Sequence, residues 1–145
     1  MGHMYERILV AYNATKNSAI ALREAVEIAR TSKGELHVLG IVSTGAFVAA
    51  DLTGSMDVEG IEHKRIKEAL YAAAGELAKQ GLSVTTAIGQ GDAADGIIAA
   101  ARRIKADLVV IGHSDKGLLA RWLQGSIGAK LLSELPCSLL IAAAR

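Results

Sequence analysis

The sequence predicts one α/β domain: a five-stranded parallel sheet with helices on both faces, a three-layer sandwich of the Rossmann-like or flavodoxin-like kind. Three observations predict it. Short, continuous apolar runs alternate with longer stretches whose apolar residues recur at helical spacing, the layout of a parallel sheet covered on both sides. One segment departs from this, because from Leu82 through Val84, Thr86 and Ile88 apolar and small polar residues alternate, as in a half-covered strand at a sheet edge. At 145 residues, 51% of them hydrophobic, the chain can bury one core without disulfide or metal and is too short for two comfortable domains.

The elements follow in order. Ile8-Leu9-Val10-Ala11 opens as a buried strand, and Leu22, Ala25, Val26 and Ala29 form one face of a helix that begins near Asn17-Ser18 and stops before Gly34. Leu36 to Val42 is the second buried strand. Ile66, Ala69, Leu70, Ala73 and Leu77 stripe a second helix that closes near Gln80, with Gly81 at the capping position. After the Leu82 edge strand, Asp92 opens a helix marked by Ile97, Ala101 and Ile104. Leu108 to Ile111 is the fourth strand. The last helix opens close to Gly125-Ser126, carries Ile127, Leu131, Leu132 and Leu135, and is stopped by Pro136. Leu139-Leu140-Ile141 reads as a final buried strand.

Composition excludes several classes of function. Sixteen basic against fifteen acidic residues leave a formal charge of +1, with one Phe, one Trp and three Tyr for stacking, which disfavours nucleic-acid binding. No stretch reaches the roughly 20 apolar residues that span a bilayer, and no signal peptide is evident. The lone Cys137 fits a reducing cytoplasm. Met1-Gly2-His3 reads as a cloning remnant ahead of a native start at Met4.

In a doubly wound sheet, ligands bind beyond the carboxyl ends of the strands. The irregular segments there are Asn13 to Lys16, Ser43 to Gly60, Gly89 to Asp92 and Gly112 to Gln124. Ser43 to Gly60 is compatible with a lid, a dimer element or a disordered excursion. Gly112 to Ser126 is the informative one. A glycine at a strand end admits close approach of backbone to a ligand, and Gly125-Ser126 at a helix start offers N–H groups and a hydroxyl to a phosphate. The plain alternative is that Gly112 turns the chain and Ser126 caps the helix.

At these residues the sequence resembles a family. Tyr5 to Ala11, Ala106 to Gly112, Gly125-Ser126 and Pro136 to Ile141 together resemble the universal stress proteins, and the resemblance covers residues 4–145. It implies the strand order 3-2-1-4-5, commonly a homodimer, and, in one branch, ATP held by a Gly-x2-Gly-x9-Gly-Ser/Thr loop with an Asp after the first strand near the adenine. Gly112, Gly125 and Ser126 match the motif at full loop length. Asp115 stands where the second glycine would be, and Asn13 where the Asp would be. A carboxylate about 4 Å from a phosphate costs about 1 kcal/mol in water and several near a protein surface. Lys116 and Arg121 are available to offset it, and Gly117 to redirect the loop. Ile41 matches the place where backbone groups meet adenine. The candidate binding set is Asn13, Ala14, Ile41, Gly112, Asp115, Gly125, Ser126 and Ile127, with ATP, and with it magnesium, as the implied cofactor.

Other constellations have plainer explanations. His113-Ser114-Asp115 holds triad residue types, but neighbours on an extended loop point apart. Among the four histidines no pair has metal-ligand spacing; His37 reads as packed or edge-exposed and His63 as solvated. The charges from Glu59 to Glu68 read as a solvated helix face, and Cys137 as a small buried core residue. Trp122 is either an anchor in a pocket or interface or a plug beneath the loop, and Asp92 either a cap or a ribose contact. The function expected is a nucleotide-binding stress-response module; the alternative is a dimeric interaction module of the same fold without nucleotide. No general base stands beside a nucleophile, so any ATPase activity would be slow. Under the implied order, Cys137 to Ala143 is an apolar edge expected to pair across a homodimer.

Overall fold

The computed structural model describes residues 4–42, 58–89, 93–112 and 126–143. Its two most apolar strands, β1 (Arg7–Tyr12) and β4 (Leu108–Gly112), lie side by side at the centre, where both faces of a strand are covered. β2 (Glu35–Ile41) flanks β1, and β3 (Val84–Gly89) and β5 (Ser138–Ala142) form the edges. All pairings are parallel, and the order is β3-β2-β1-β4-β5, as the resemblance implied. The Asp107 carboxylate accepts from the backbone N–H of Glu6 and of Arg7, both at 2.9 Å, and so ties the start of β4 to the start of β1.

Four helices make the outer layers: α1 (Lys16–Ser32), α2 (Val58–Lys79), α3 (Ala93–Ile104) and α4 (Ser126–Glu134). Strand residues of even number, such as Ile8, Val10, Leu36, Val38, Leu108 and Val110, join Ala25, Ile66 and Leu70 of α1 and α2 in one core; this is face one. Odd-numbered Leu9, Leu39, Val109 and Ile111 join Ile97, Ala101 and Leu131 of α3 and α4 in a second; this is face two. The alternation is the period-2 geometry of a strand carried through the sheet.

Several expectations need correction. α1 starts earlier than Asn17-Ser18, because Thr15 is its cap: the Thr15 hydroxyl accepts from the Ser18 N–H, and Ser18 closes a reciprocal capping box. The left-handed residue that ends α1 is Lys33 (φ 57°), not Gly34; a Cβ on Gly34 would lie 2.5 Å from the Tyr5 carbonyl, so glycine there serves close approach to the chain before β1. Leu132 does not share the buried stripe with Leu131. It is 62% exposed, since one residue turns it about 100° around the helix. β5 is not buried like β1 and β4, because only one flank is paired: Leu139 and Leu140 are half-buried and Ile141 is 38% exposed. Cys137 is likewise only half-buried, with its thiol pKa pushed up first by burial and then by the Asp107 carboxylate. His63 is half-buried rather than solvated, and His37 is packed with only 17% of its side chain exposed.

Candidate functional site

The crossovers leaving β1 and β4 run to opposite sides, β1 toward β2 and β4 toward β5, so the carboxyl ends of the two central strands open a crevice. One wall is the turn from β1 into α1. Ala14 sits at φ 62°, a left-handed conformation that a side chain adopts only where neighbours enforce it. The enforcement is visible. Asn13 Oδ1 accepts from the Thr15 hydroxyl at 2.6 Å and from the Thr15 N–H at 3.3 Å, while the N–H groups of Asn13 and Thr15 both donate to Ser18 Oγ, at 3.3 and 3.1 Å. The Ser18 hydroxyl itself donates to the Thr15 carbonyl at 2.9 Å, which accounts for a buried serine in this wall.

Asn13 therefore spends its amide oxygen within the turn, and its NH2 keeps no partner among the described residues. An aspartate could make the same two acceptor bonds, but its second oxygen would face outward as charge. Asn13 offers donors instead.

The other wall is the end of β4. A Cβ on Gly112 would stand 2.3 Å from the Asn17 carbonyl oxygen and 3.2 Å from the Ser18 N, so β4 meets the first turn of α1 backbone to backbone. Glycine is required here by packing alone, whatever the crevice holds. That requirement is also what brings Gly112 beside the Asn13–Ser18 turn. Ile41 ends β2 with its side chain turned into face two and 5% exposed, leaving its backbone as the group available at the strand end. Ser126 and Ile127 form the first turn of α4. Asp92, His113, Ser114, Asp115, Lys116, Gly117, Arg121, Trp122 and Gly125 lie outside the described residues, as do residues 43–57. Among the described residues no three His, Cys, Asp or Glu side chains converge as metal ligands, and no helix is long and apolar enough to cross a membrane.

A model of the universal stress protein family matches residues 4–143. The chain belongs to the universal stress protein family. It is 26% identical over 140 residues to a universal stress protein of Methanocaldococcus jannaschii, spanning 96% of this chain and 82% of the relative. Against universal stress protein YxiE of Bacillus subtilis the identity is 27% over 146 residues, spanning 95% and 99%. Solved universal stress proteins share the fold, among them one from Burkholderia pseudomallei (TM-score 0.72, 23% identity, 99% of this chain and 100% of that one). UspA from Lactobacillus plantarum gives a TM-score of 0.73 at 22% identity, covering 95% and 97%. One universal stress protein was solved in complex with cAMP (TM-score 0.60, 22% identity, 95% and 96% covered). Another, from Archaeoglobus fulgidus, was solved with dAMP (0.63, 21%, 95% and 98%).

Two residues of this universal stress protein's crevice carry more than their sequence positions announced. Thr15 and Ser18 organise the β1–α1 wall, and the signal for them was present as a Thr-x-x-Ser spacing at a helix start. The contact of Gly112 with Asn17 had no such signal, because it joins residues 95 positions apart in sequence through the meeting of β4 and α1.

Proposed function

We propose that the protein binds an adenine nucleotide in the crevice between the ends of β1 and β4 and acts as a stress-response regulatory module of the cytoplasm. The observation that carries this reading is the wall itself: a left-handed Ala14, a cross-bonded Asn13–Ser18 turn and a side-chain-free Gly112 meet where a doubly wound sheet takes its ligand. The complexes of fold relatives with cAMP and dAMP support an adenine nucleotide as the occupant. Asn13, Ala14 and the Ile41 backbone line the base side, and Gly112, Asp115, Gly125, Ser126 and Ile127 the phosphate side. ATP with magnesium is the form the loop length favours.

Titration calorimetry with AMP and with ATP, with and without magnesium, tests this. Saturable binding by the wild type is expected, and Asp115→Gly should tighten ATP by about tenfold for each 1.4 kcal/mol of repulsion relieved. Absence of heat with every nucleotide, for both proteins, removes the reading. The second reading, a dimeric interaction module without nucleotide, is favoured by one observation: β5 is an unpaired edge carrying half-buried Leu139 and Leu140 and an exposed Ile141. Both readings expect a homodimer through β5. Sedimentation should give a dimer mass, lost in Leu140→Pro through removal of a ladder donor.

A further inference from the structure

β3 is built differently on its two sides. Val84 and Ile88 point to face one and pack with its core, whereas Thr85 and Ala87 point to face two. Register sets Leu9, His37 and Thr85 in one row across the sheet and Ala11, Leu39 and Ala87 in the next. α3 covers the β1 and β2 ends of these rows with small residues such as Ala100 and Ala101, and it ends at Ile104. Among the described residues nothing large fills the corner that remains. A cavity of about 300 Å³ lies there, with Leu39, Ala87 and Ile104 among its apolar walls and His37, Thr85, Thr86 and Arg103 as its polar members.

The geometry points to a binding site for a small monocarboxylic acid with an apolar body, seated between α3 and the β2–β3 edge. The volume is at the lower end of the roughly 300–1,000 Å³ of small-molecule pockets, and apolar walls with a few polar groups are their usual lining. Arg103 supplies the cation. It pairs with no carboxylate among the described residues, while its neighbour Arg102 is 3.8 Å from Glu134, so a planar fork suited to a carboxylate is left at the mouth. The other charged group nearby is Glu35, whose Oε2 lies 3.4 Å from His37 Nε2. That carboxylate orients the imidazole and sets a negative charge beside this polar member of the lining, which disfavours a phosphate dianion more than a singly charged ligand. Thr85 adds a hydroxyl donor. The site uses the first half of β2 and β3, whereas the crevice uses the strand ends, so it does not depend on the nucleotide reading.

Octanoate and 2-naphthoate, titrated into ¹⁵N-labelled full-length protein, test the assignment. Saturable shifts are expected at the amides of His37, Thr85 to Ala87 and Ala100 to Ile104, with methyl octanoate binding at least about tenfold more weakly. Arg103→Ala should weaken octanoate by a similar factor, and Arg103→Lys by less. Ala87→Leu, which fills the corner, should abolish the shifts while the rest of the spectrum stays folded. Octanoate shifts that do not saturate, methyl octanoate binding as well as the acid, or unchanged affinity in Arg103→Ala would each overturn the proposal.

Discussion

The two faces of one sheet are packed by opposite means. On face one, Gly40 leaves β2 without a side chain directly beneath α2, and Ile66 and Leu70 come so close that a Cβ on Gly40 would stand 2.6 Å from each. On face two the strand side is large at Leu9 and Leu39, the helix side is small at Ala100 and Ala101, and the edge strand offers only Thr85 and Ala87. A large-on-small match closes the contact of β2 with α2 at Gly40, and the room left on this face lies between the helices α1 and α2, beside Val26 and Leu77. Face two closes over the central strands and stays open at the edge. Packing density is thus set by which side supplies the volume at each position, not by how apolar a face is.

A double-mutant cycle gives the largest effects. Leu70→Ala should cost about 2–5 kcal/mol in urea unfolding, and Gly40→Ala alone about 1–3 kcal/mol by overpacking. In the Leu70→Ala background the Gly40 substitution should cost clearly less, because the new methyl then enters the vacated space. Additive losses would show that the two residues do not compete for one volume. Face two should behave otherwise: Ala87→Val adds a comparable methyl volume facing the cavity and should move stability by no more than about 0.5 kcal/mol. A loss as large as that of Gly40→Ala would show that face two is as tightly closed as face one.

The smallest effect lies at the rim of face one. Arg65 hydrogen-bonds Glu62 at 3.0 Å and holds its carboxyl below the ordinary value of 4.5. A lowered folded pKa gives stability that is present above the unfolded value and lost as pH falls through the folded one. Glu62→Gln should therefore cost a few tenths of a kcal/mol at neutral pH, and the difference from wild type should vanish as the pH is taken well below 4.5. A gap that widens in acid would reverse the assigned sign.

The sequence by itself determined the order and kind of every element, because period and turn chemistry are local: apolar runs for β1, β2 and β4, a helical stripe from Ile66 to Leu77, Gly81 at a helix end, and an alternating edge strand at β3. It also pointed to Asn13 and Gly112 as residues of the crevice. What only the tertiary structure decided were distances between elements remote in sequence. Gly112 is glycine because β4 touches the Asn17 carbonyl, and Gly34 because it touches the Tyr5 carbonyl rather than because it caps α1. Leu132 is exposed while Leu131 is buried, and the corner beside Thr85 and Ala87 stands open. The reason is physical: a residue's own spacing encodes which way it faces, but the room it finds there is the sum of side-chain volumes from two or three other segments.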